Sequence, residues 1–273
     1  MKKLLGATLG VLVAVMAGCS KSEDAKGPGV CVPASQLNGI ISGYKVSSQD
    51  ELAKKVVMLL MEGEKSSICT GTPITKDVIL TAAHCVKGAT RVRAIFHTDI
   101  TCESGFNIND HAIESSSFFY HDKYSGKTDA TNDVALVKLK SAIPSDYDIS
   151  KVYDGYSSLS SDTVTFAGYG VTREATEEGV PSGEGFLRMT TKSYRSEVRK
   201  DGMNLVIDQP YTGVCSGDSG GPIFVEVRGE KQIIGVNSVV SGPTQSRVCH
   251  GKAVAMYAPH FTDWIRTALY YLY

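Results

Sequence analysis

Beyond residue 39, the chain alternates between short apolar runs and polar segments that contain glycine. Each run is four to eight residues long and most are rich in valine and isoleucine, which favours strands over helices. The clearest runs cover residues 56–61, 78–82, 134–139, 164–167, 223–227 and 233–239. Helical spacing begins only near Pro259, with apolar side chains at Phe261, Trp264, Ile265, Ala268 and Leu269. This pattern predicts an all-β, antiparallel barrel or sandwich architecture that ends in one helix.

The N-terminal segment has a different pattern. Lys2 and Lys3 precede an apolar run over residues 4–18, which is short for a membrane span and typical of a secretory signal peptide. The run ends in the letters VMAGC, which resemble the lipobox of bacterial lipoproteins. This resemblance implies cleavage after Gly18 and a lipid on Cys19. The alternative is a plain signal peptide; in both cases the mature chain leaves the cytoplasm.

Three segments follow from these patterns. Residues 1–18 are predicted to be a signal peptide. Residues 19–39 are polar and broken by glycine and proline, which predicts a lipidated tether or propeptide without regular structure. Residues 40–273 are predicted to form the folded domain. Ser20 follows the lipobox cysteine, as in lipoproteins sent to an outer membrane, so we expect an exported protein anchored by lipid in a bacterial cell envelope.

The composition excludes some partners. The chain has 28 basic and 29 acidic side chains, a formal net charge of −1, and no basic block. Binding to nucleic acid is therefore not expected. The hydrophobic fraction of 42% is enough for a sizeable core. We find no metal cluster and no cofactor motif in the sequence, so neither a metal nor a cofactor is expected.

Three short motifs contain the residues suited to catalysis. The letters TAAHC at residues 81–85 follow an apolar run and include His84. The letters NDVALVKL at residues 132–139 place Asp133 at the start of another run. The letters GDSGGP at residues 217–222 place Ser219 among glycines before a third run. Together the motifs resemble those of the chymotrypsin family of serine endopeptidases.

The chemistry of these side chains agrees with the resemblance. A serine hydroxyl is a weak nucleophile and needs a base to remove its proton, and histidine can accept that proton near neutral pH. A buried carboxylate orients the imidazole. We therefore predict His84, Asp133 and Ser219 as a catalytic triad, with the N–H groups of Gly217 and Ser219 as the oxyanion hole. The resemblance implies two six-stranded antiparallel β-barrels with a C-terminal α-helix, and a monomer that cleaves protein or peptide substrates.

Two alternatives use the same residues. The letters GDSGG also match the G-x-S-x-G pattern of α/β-hydrolases, in which acid and histidine follow the serine and a helix comes directly after it. Here His84 and Asp133 precede Ser219, and a strand-like run follows, so the order and context disagree. The other alternative is a catalytically silent binding module on the same fold, although such relatives normally lose a member of the triad.

The seven cysteines suit an oxidising compartment, because six remain if the first carries lipid. The family resemblance implies a Cys69–Cys85 bridge beside the histidine motif. It also implies a Cys215–Cys249 bridge between the serine motif and the far wall of the specificity pocket. Cys31 and Cys102 are left over, and by elimination we predict a third bridge that ties the segment before residue 40 to the folded domain.

The letters IISG at residues 40–43 resemble the mature N-terminus of the family. There, cleavage before the first isoleucine frees an ammonium that pairs with the aspartate preceding the nucleophile. The corresponding residues are Ile40 and Asp218; the alternative is that Ile40 only begins a strand. Gly39 stands where the family usually has Arg or Lys. The activating protease is therefore expected to be one of different specificity, or the protein itself.

Alignment of the chain with the motifs of the chymotrypsin family also predicts the residues of the specificity pocket. Gly213 takes the place at the pocket base, where trypsin-like enzymes carry Asp, so cleavage after basic residues is disfavoured. Ala253 and Val240 take wall positions that are usually glycine, and Ser238 begins the segment that binds the substrate backbone. These residues predict a narrow, apolar pocket that prefers a small or aliphatic side chain before the cleaved bond (P1).

Overall fold

The computed structural model describes residues 40–64, 66–101, 104–126, 131–171, 185–244 and 247–273. Within them the chain forms mainly short antiparallel strands and ends in one longer helix, which confirms the predicted all-β class. The predicted signal peptide and tether, with Cys19 and Cys31, lie outside the described residues, and so does Cys102.

A closed barrel forms the first half of the fold. The first strand of the chain, β1 (Tyr44–Lys45), is not part of this barrel and belongs to the sheet of the second half. The next six strands are β2 (Val57–Glu62), β3 (Ser67–Thr75), β4 (Val78–Thr81), β5 (Arg91–Ile95), β6 (Ala112–Tyr120) and β7 (Ala135–Leu139). They close in the order β2-β3-β4-β7-β6-β5, with antiparallel neighbours throughout. Closure pairs both edges of every strand, which leaves none open to another chain.

An eight-stranded sheet forms the second half. Its other strands are β8 (Thr163–Gly168), β9 (Arg188–Ser193), β10 (Val198–Asp201), β11 (Asn204–Asp208), β12 (Pro222–Val227), β13 (Glu230–Ser241) and β14 (Lys252–Tyr257). Their order is β1-β9-β8-β12-β13-β14-β11-β10. Where the sequence indicated a second six-stranded barrel, the described strands form a half-barrel: the short strands β1 and β10 lengthen it at the ends without pairing with each other.

The helices are few and mostly short. They are α1 (Ala83–Val86), α2 (Ile108–His111), α3 (Tyr194–Glu197), α4 (Thr262–Leu272) and two 3₁₀ helices, Glu51–Lys54 and Ala258–Phe261. The predicted terminal helix is thus confirmed, and it buries Ile265 and Ala268 on one face. In the described ranges, no helix combines the length and the apolar character that crossing a bilayer requires.

The two halves share one core where they meet. The buried side chains of the barrel pack together with Tyr169, Phe224 and Met256 of the second half. Protein interiors are close-packed, and a close-packed core holds its side chains in fixed positions. The three chemical motifs lie at this junction: His84 follows β4, Asp133 precedes β7 and Ser219 precedes β12.

Candidate active site

His84 and Asp133 are hydrogen-bonded to each other. The Nδ1 atom of His84 lies 2.7 Å from Asp133 Oδ2, and the backbone N–H of His84 donates to Asp133 Oδ1 at 2.8 Å. The hydroxyl of Ser238 adds a third hydrogen bond to this carboxylate, at 2.5 Å from Oδ2. The Asp133 side chain is 2% exposed, whereas that of His84 is 32% exposed. The carboxylate is thus held inside the protein while the imidazole reaches the surface.

The hydrogen bonds determine the charge of Asp133. Burial alone raises the pKa of this carboxyl, but the bonds from His84 and Ser238 outweigh it, and the pKa lies below its usual value. An ionised carboxylate only accepts hydrogen bonds, so His84 Nδ1 carries the hydrogen. The other ring nitrogen, Nε2, is then free to accept a proton.

Ser219 lies next to this pair. The Sγ atom of Cys85 is 3.7 Å from His84 Nε2 and also 3.7 Å from the carbonyl oxygen of Ser219. The backbone N–H of Thr70 donates to the same carbonyl at 2.8 Å. The Ser219 hydroxyl forms no hydrogen bond to a described residue; catalytic hydrogen bonds are often long before substrate binds. All three predicted triad residues therefore meet at the junction of the two halves.

Gly217 has a backbone conformation that glycine alone adopts easily, with φ of +92°. A Cβ at this position would lie 2.8 Å from the Cα of Gly170, so the close approach of these two backbone segments also requires glycine. The carbonyl of Gly217 accepts a hydrogen bond from the Thr70 hydroxyl at 2.9 Å. The loop that carries the two predicted oxyanion donors is thus tightly packed and anchored.

Both disulfides that the family resemblance implied are present. Cys69–Cys85 joins β3 to α1 beside His84, with a Cα–Cα distance of 6.2 Å. Cys215–Cys249 joins the loop before Ser219 to the segment before β14, with a Cα–Cα distance of 5.3 Å. Cys69, His84 and Cys85 lie close enough to hold a metal ion. The two sulfurs are bonded to each other, however, and a disulfide is not the thiolate that binds metals.

Ile40 is buried in the intact chain. Its side chain is 0% exposed, and Ile41 forms backbone hydrogen bonds with Gly213, at 3.0 Å in one direction and 3.3 Å in the other. A Cβ on Gly43 would lie 2.8 Å from the Cβ of Ile40, so the turn after Ile40 needs glycine. The first described residues therefore pack against the loop that leads to Ser219.

Asp218 is a buried carboxyl without a cationic partner among the described residues. It accepts hydrogen bonds from the backbone N–H groups of Cys215 at 2.9 Å and Gly170 at 2.8 Å. Burial raises the pKa of Asp218 to about 7, and these two bonds only partly oppose it. Gly168 and Gly170 leave room for the carboxyl, since a Cβ on either would lie within 2.6 Å of its atoms.

A small cavity of about 70 Å³ opens beside Ser219. Of the residues predicted to bind substrate, Ser238 and Val240 line it. The other lining residues are Val214, Cys215, Ser216, Ser219, Asn237 and Val239. Gly213 and Ala253 do not line the cavity; each lies next to a residue that does, since Gly213 precedes Val214 and Ala253 pairs with Val240.

Gln209 occupies the space next to Gly213. Its side chain is buried, and Nε2 donates to the carbonyls of Val214 at 2.9 Å and Cys249 at 2.8 Å. Its Oε1 accepts from the N–H of Val214 at 3.1 Å. A Cβ on Gly213 would lie 2.2 Å from Oε1. The uncharged amide of Gln209 therefore fills the space that the side chain of any residue larger than glycine at position 213 would need.

Three residues of this site were missed in the sequence. Thr70 anchors the loop around Ser219, Gln209 fills the space beside Gly213, and Asn237 lines the cavity with a buried Oδ1 that has no hydrogen-bond partner among the described residues. Each stands outside the three motifs, and nothing in its local sequence distinguishes it from an ordinary polar residue near a strand end. A buried polar side chain becomes recognisable only from the groups around it.

Comparisons with known proteins agree with this geometry. The family model described as Trypsin matches residues 40–265. A chymotrypsin from Phaedon cochleariae is 26% identical over 211 residues, which cover 68% of this chain and 69% of that protein. Trypsin-4 from Rattus norvegicus is 28% identical over 208 residues, which cover 72% of this chain and 79% of that protein.

The fold agrees as well. A solved structure of HL collagenase aligns with a TM-score of 0.61 and 21% identity, over 84% of this chain and 98% of the collagenase. At that identity the likeness concerns the fold alone. The family model, in contrast, covers well over half of the sequence and begins at Ile40. The chain belongs to the trypsin family and is a serine endopeptidase.

Proposed function

We propose that His84, Asp133 and Ser219 are the catalytic triad of this endopeptidase. The observation that carries the proposal is the buried Asp133 carboxylate, which orients the His84 ring and leaves its Nε2 free beside Ser219. The Ser219 hydroxyl attacks the carbonyl carbon of the peptide bond while its proton passes to His84 Nε2. His84 then gives that proton to the leaving amine as the carbon–nitrogen bond breaks.

The N–H groups of Gly217 and Ser219 stabilise the negative oxygen that forms during the attack. Donors already in place for this charge account for a large part of catalysis in such enzymes. The first half of the reaction leaves an acyl group on Ser219. Water, deprotonated by His84, then attacks the acyl carbon, and the protonated His84 returns the proton to the Ser219 oxygen.

Reaction with a fluorophosphonate probe tests the assignment. The enzyme cleaved before Ile40 should be labelled once at Ser219, and labelling should disappear in Ser219→Ala. Ser216→Ala is a matched control, since Ser216 lines the same cavity but has no role in the proposal. Labelling that persists in Ser219→Ala would contradict the assignment.

The mature enzyme is formed by cleavage before Ile40. Cleavage frees an ammonium at a residue that is already buried, next to a loop whose Asp218 carboxyl has no cationic partner in the described chain. A buried ion pair between Ile40 and Asp218 would then support the Gly217–Ser219 loop. Because Gly39 precedes the cut, the activating protease is not of trypsin-like specificity, or it is the protein itself.

Terminal sequencing of the active protein tests this step. Active preparations should begin at Ile40. The inactive variant Ser219→Ala, incubated alone and with active enzyme, separates self-cleavage from cleavage by another protease. Full activity in a chain that is intact before Ile40 would contradict the zymogen proposal.

The enzyme prefers small or aliphatic P1 side chains. The cavity beside Ser219 is small, its walls include Val214, Val239 and Val240, and Gln209 leaves no room for a charged side chain on residue 213. A profile of cleaved bonds in a peptide library should be dominated by residues such as alanine and valine. A profile dominated by arginine or lysine would refute this preference.

The protein acts outside the cytoplasm, as a monomer held at the cell envelope by a lipid on Cys19. The two disulfides support export, because such bonds persist in oxidising compartments. With the predicted Cys31–Cys102 bridge, the cleaved enzyme would stay attached to its anchor. Metabolic labelling with a fatty acid should be lost in Cys19→Ala. The segment before Ile40 should separate from the cleaved protein only after reduction, and its loss without a reductant would exclude the bridge.

A further inference from the structure

We propose that Thr70 is a positioning residue for the oxyanion hole. Thr70 lies in β3, in the closed barrel, and is 0% exposed. It is separated from the serine motif by 147 residues in the sequence, and it belongs to none of the three motifs. The inference rests on the proposed roles of Gly217 and Ser219.

Thr70 holds the serine loop at two points. Its backbone N–H donates to the carbonyl of Ser219 at 2.8 Å, and its hydroxyl donates to the carbonyl of Gly217 at 2.9 Å. These two carbonyls flank Asp218. The Gly217 carbonyl belongs to the peptide plane between residues 217 and 218, and the Ser219 carbonyl to the plane between residues 219 and 220. With these two planes fixed, the plane between them, which carries the Ser219 N–H, and the preceding plane, which carries the Gly217 N–H, have little freedom to turn.

The hydroxyl also connects this loop to the segment that binds Asp218. Thr70 Oγ1 accepts a hydrogen bond from the N–H of Tyr169 at 3.1 Å. The next residue, Gly170, donates its own N–H to Asp218 Oδ1 at 2.8 Å. One hydroxyl group therefore joins the Gly217 carbonyl to the chain that holds the activation carboxyl in place.

A fourth hydrogen bond of Thr70 leads to the histidine motif. The carbonyl of Thr70 accepts a hydrogen bond from the Thr81 hydroxyl at 2.9 Å, and Thr81 is three residues before His84. Thr81 also lies close to the serine loop, since a Cβ on Gly220 would be 2.0 Å from its Oγ1. Thr70 is thus the residue through which the barrel that carries His84 fixes the loop that carries Ser219.

The test compares three variants of the mature enzyme, each normalised by titration of active sites. Thr70→Val keeps the shape of the side chain but removes the hydroxyl, and Thr70→Ser keeps the hydroxyl. Thr72→Val is the matched control: Thr72 is buried two residues further along β3, and its side chain forms no hydrogen bond to residues 217–219. Rates on a peptide substrate and inhibition by a peptide aldehyde, which forms a tetrahedral adduct, are measured with each.

In Thr70→Val, kcat should fall about 10- to 100-fold with KM changed by less than about threefold, because donors that act in the transition state are misdirected. Binding of the aldehyde should weaken by a similar factor. Thr70→Ser and Thr72→Val should stay within about threefold of the unmodified enzyme. If Thr70→Val does not fold, Thr70→Ala replaces it in the same comparison.

An unchanged kcat in the folded variant without the hydroxyl would overturn the inference, as would an equal loss in Thr72→Val. Failure of the proposed function looks different. In that case the mature enzyme with unmodified Thr70 would not be labelled by the fluorophosphonate, or Ser219→Ala would remain active, before any variant of Thr70 is considered.

Discussion

Asp133 and Asp218 are both buried carboxyl groups, one held by the closed barrel and the other by the loop before β12. Asp133 accepts hydrogen bonds from His84 and Ser238, and its pKa lies below its usual value. Within the described ranges, the carboxyl of Asp218 accepts hydrogen bonds only from backbone N–H groups, and burial raises its pKa to about 7. The Asp133 carboxylate is therefore paired with His84 in the intact chain, whereas Asp218 is a buried acid with no cationic partner in the part of the chain that the structure describes.

The difference shows where a switch can act. A buried charge without a partner is costly, and the cost is removed when an opposite charge is placed beside it. An ammonium at Ile40 would supply that charge without any change in the His84–Asp133 pair. Under the proposed activation, cleavage would thus act on the serine loop, while the hydrogen bonds of Asp133 with His84 and Ser238 are already formed in the intact chain.

Removing the charge of Asp133 should have the largest effect. In Asp133→Asn, the amide can no longer serve as an ionised acceptor for both His84 Nδ1 and Ser238, so the wrong imidazole tautomer is stabilised. We expect kcat/KM to fall by about 10⁴-fold with little change in KM, measured on a peptide substrate. Ser238→Ala removes the third hydrogen bond to Asp133 but keeps the carboxylate and its bonds to His84, and it should lower kcat/KM less than Asp133→Asn does. A loss below tenfold in Asp133→Asn would contradict the assigned role.

Removing the charge of Asp218 should come next. In the cleaved enzyme, Asp218→Asn leaves the Ile40 ammonium buried and unpaired, and losses of about 3–5 kcal/mol are typical of such a change. If the whole of this energy is lost from the active form, activity should fall by about 10²- to 10⁴-fold. In the intact, inactive chain the same substitution should have a smaller effect, because it breaks only one of the two hydrogen bonds from the N–H groups of Cys215 and Gly170 and leaves no unpaired ammonium. Equal effects in the intact and cleaved forms would remove the basis of the comparison.

The pKa of Asp218 also predicts how the stability of the intact chain depends on pH. The unfolded carboxyl titrates near 4, whereas the folded one titrates at about 7, so the folded state binds more protons between these values. Its contribution to stability is complete below about pH 4 and is lost as the pH rises through about 7. In a Ser219→Ala background, the free energy of unfolding attributable to this group should be about 2–3 kcal/mol lower at pH 8 than at pH 5. Denaturant titrations at both values measure it.

The control for this pH effect is Asp218→Asn in the same Ser219→Ala background, which should lack that component. After cleavage before Ile40 the dependence should also weaken, because the ammonium favours the ionised carboxylate. A slope that is the same in all three proteins would assign it to other groups.

Gly213→Ala should have the smallest effect of the four, and it tests whether Gln209 limits the size of residue 213. The new Cβ would lie 2.2 Å from Gln209 Oε1, so the midpoint of denaturant unfolding should drop by an amount equivalent to about 1–3 kcal/mol. Cleavage after basic residues should not appear. Combining this change with Gln209→Ala should cost less than the sum of the two single changes, because the contacts with the amide at 2.2 and 2.5 Å are removed and only the one with the Cβ of residue 209, at 2.6 Å, is left. Strict additivity would show that Gln209 does not limit residue 213.

Much of the fold could be predicted from local patterns. The run at residues 233–239 lies within β13 (Glu230–Ser241), and the spacing from Phe261 to Leu269 corresponds to α4 (Thr262–Leu272). Short valine-rich runs and a helical period are properties of a few consecutive residues, which local backbone preferences and one-sided burial control. The extension of the second sheet by β1 and β10 could not be predicted, because strands of two and four residues leave almost no pattern.

By itself, the sequence determined the chemical identity of the site: a histidine, an aspartate and a serine, each next to an apolar run, with glycines around the serine and cysteines that pair as the family resemblance implied. Only the tertiary structure decided which ordinary residues support them. Thr70 reaches Gly217 across 147 residues, and Gln209 lies against Gly213 in a space that no motif describes. Contacts of this kind depend on how two packed halves meet, and that arrangement is set by the whole core rather than by any short segment.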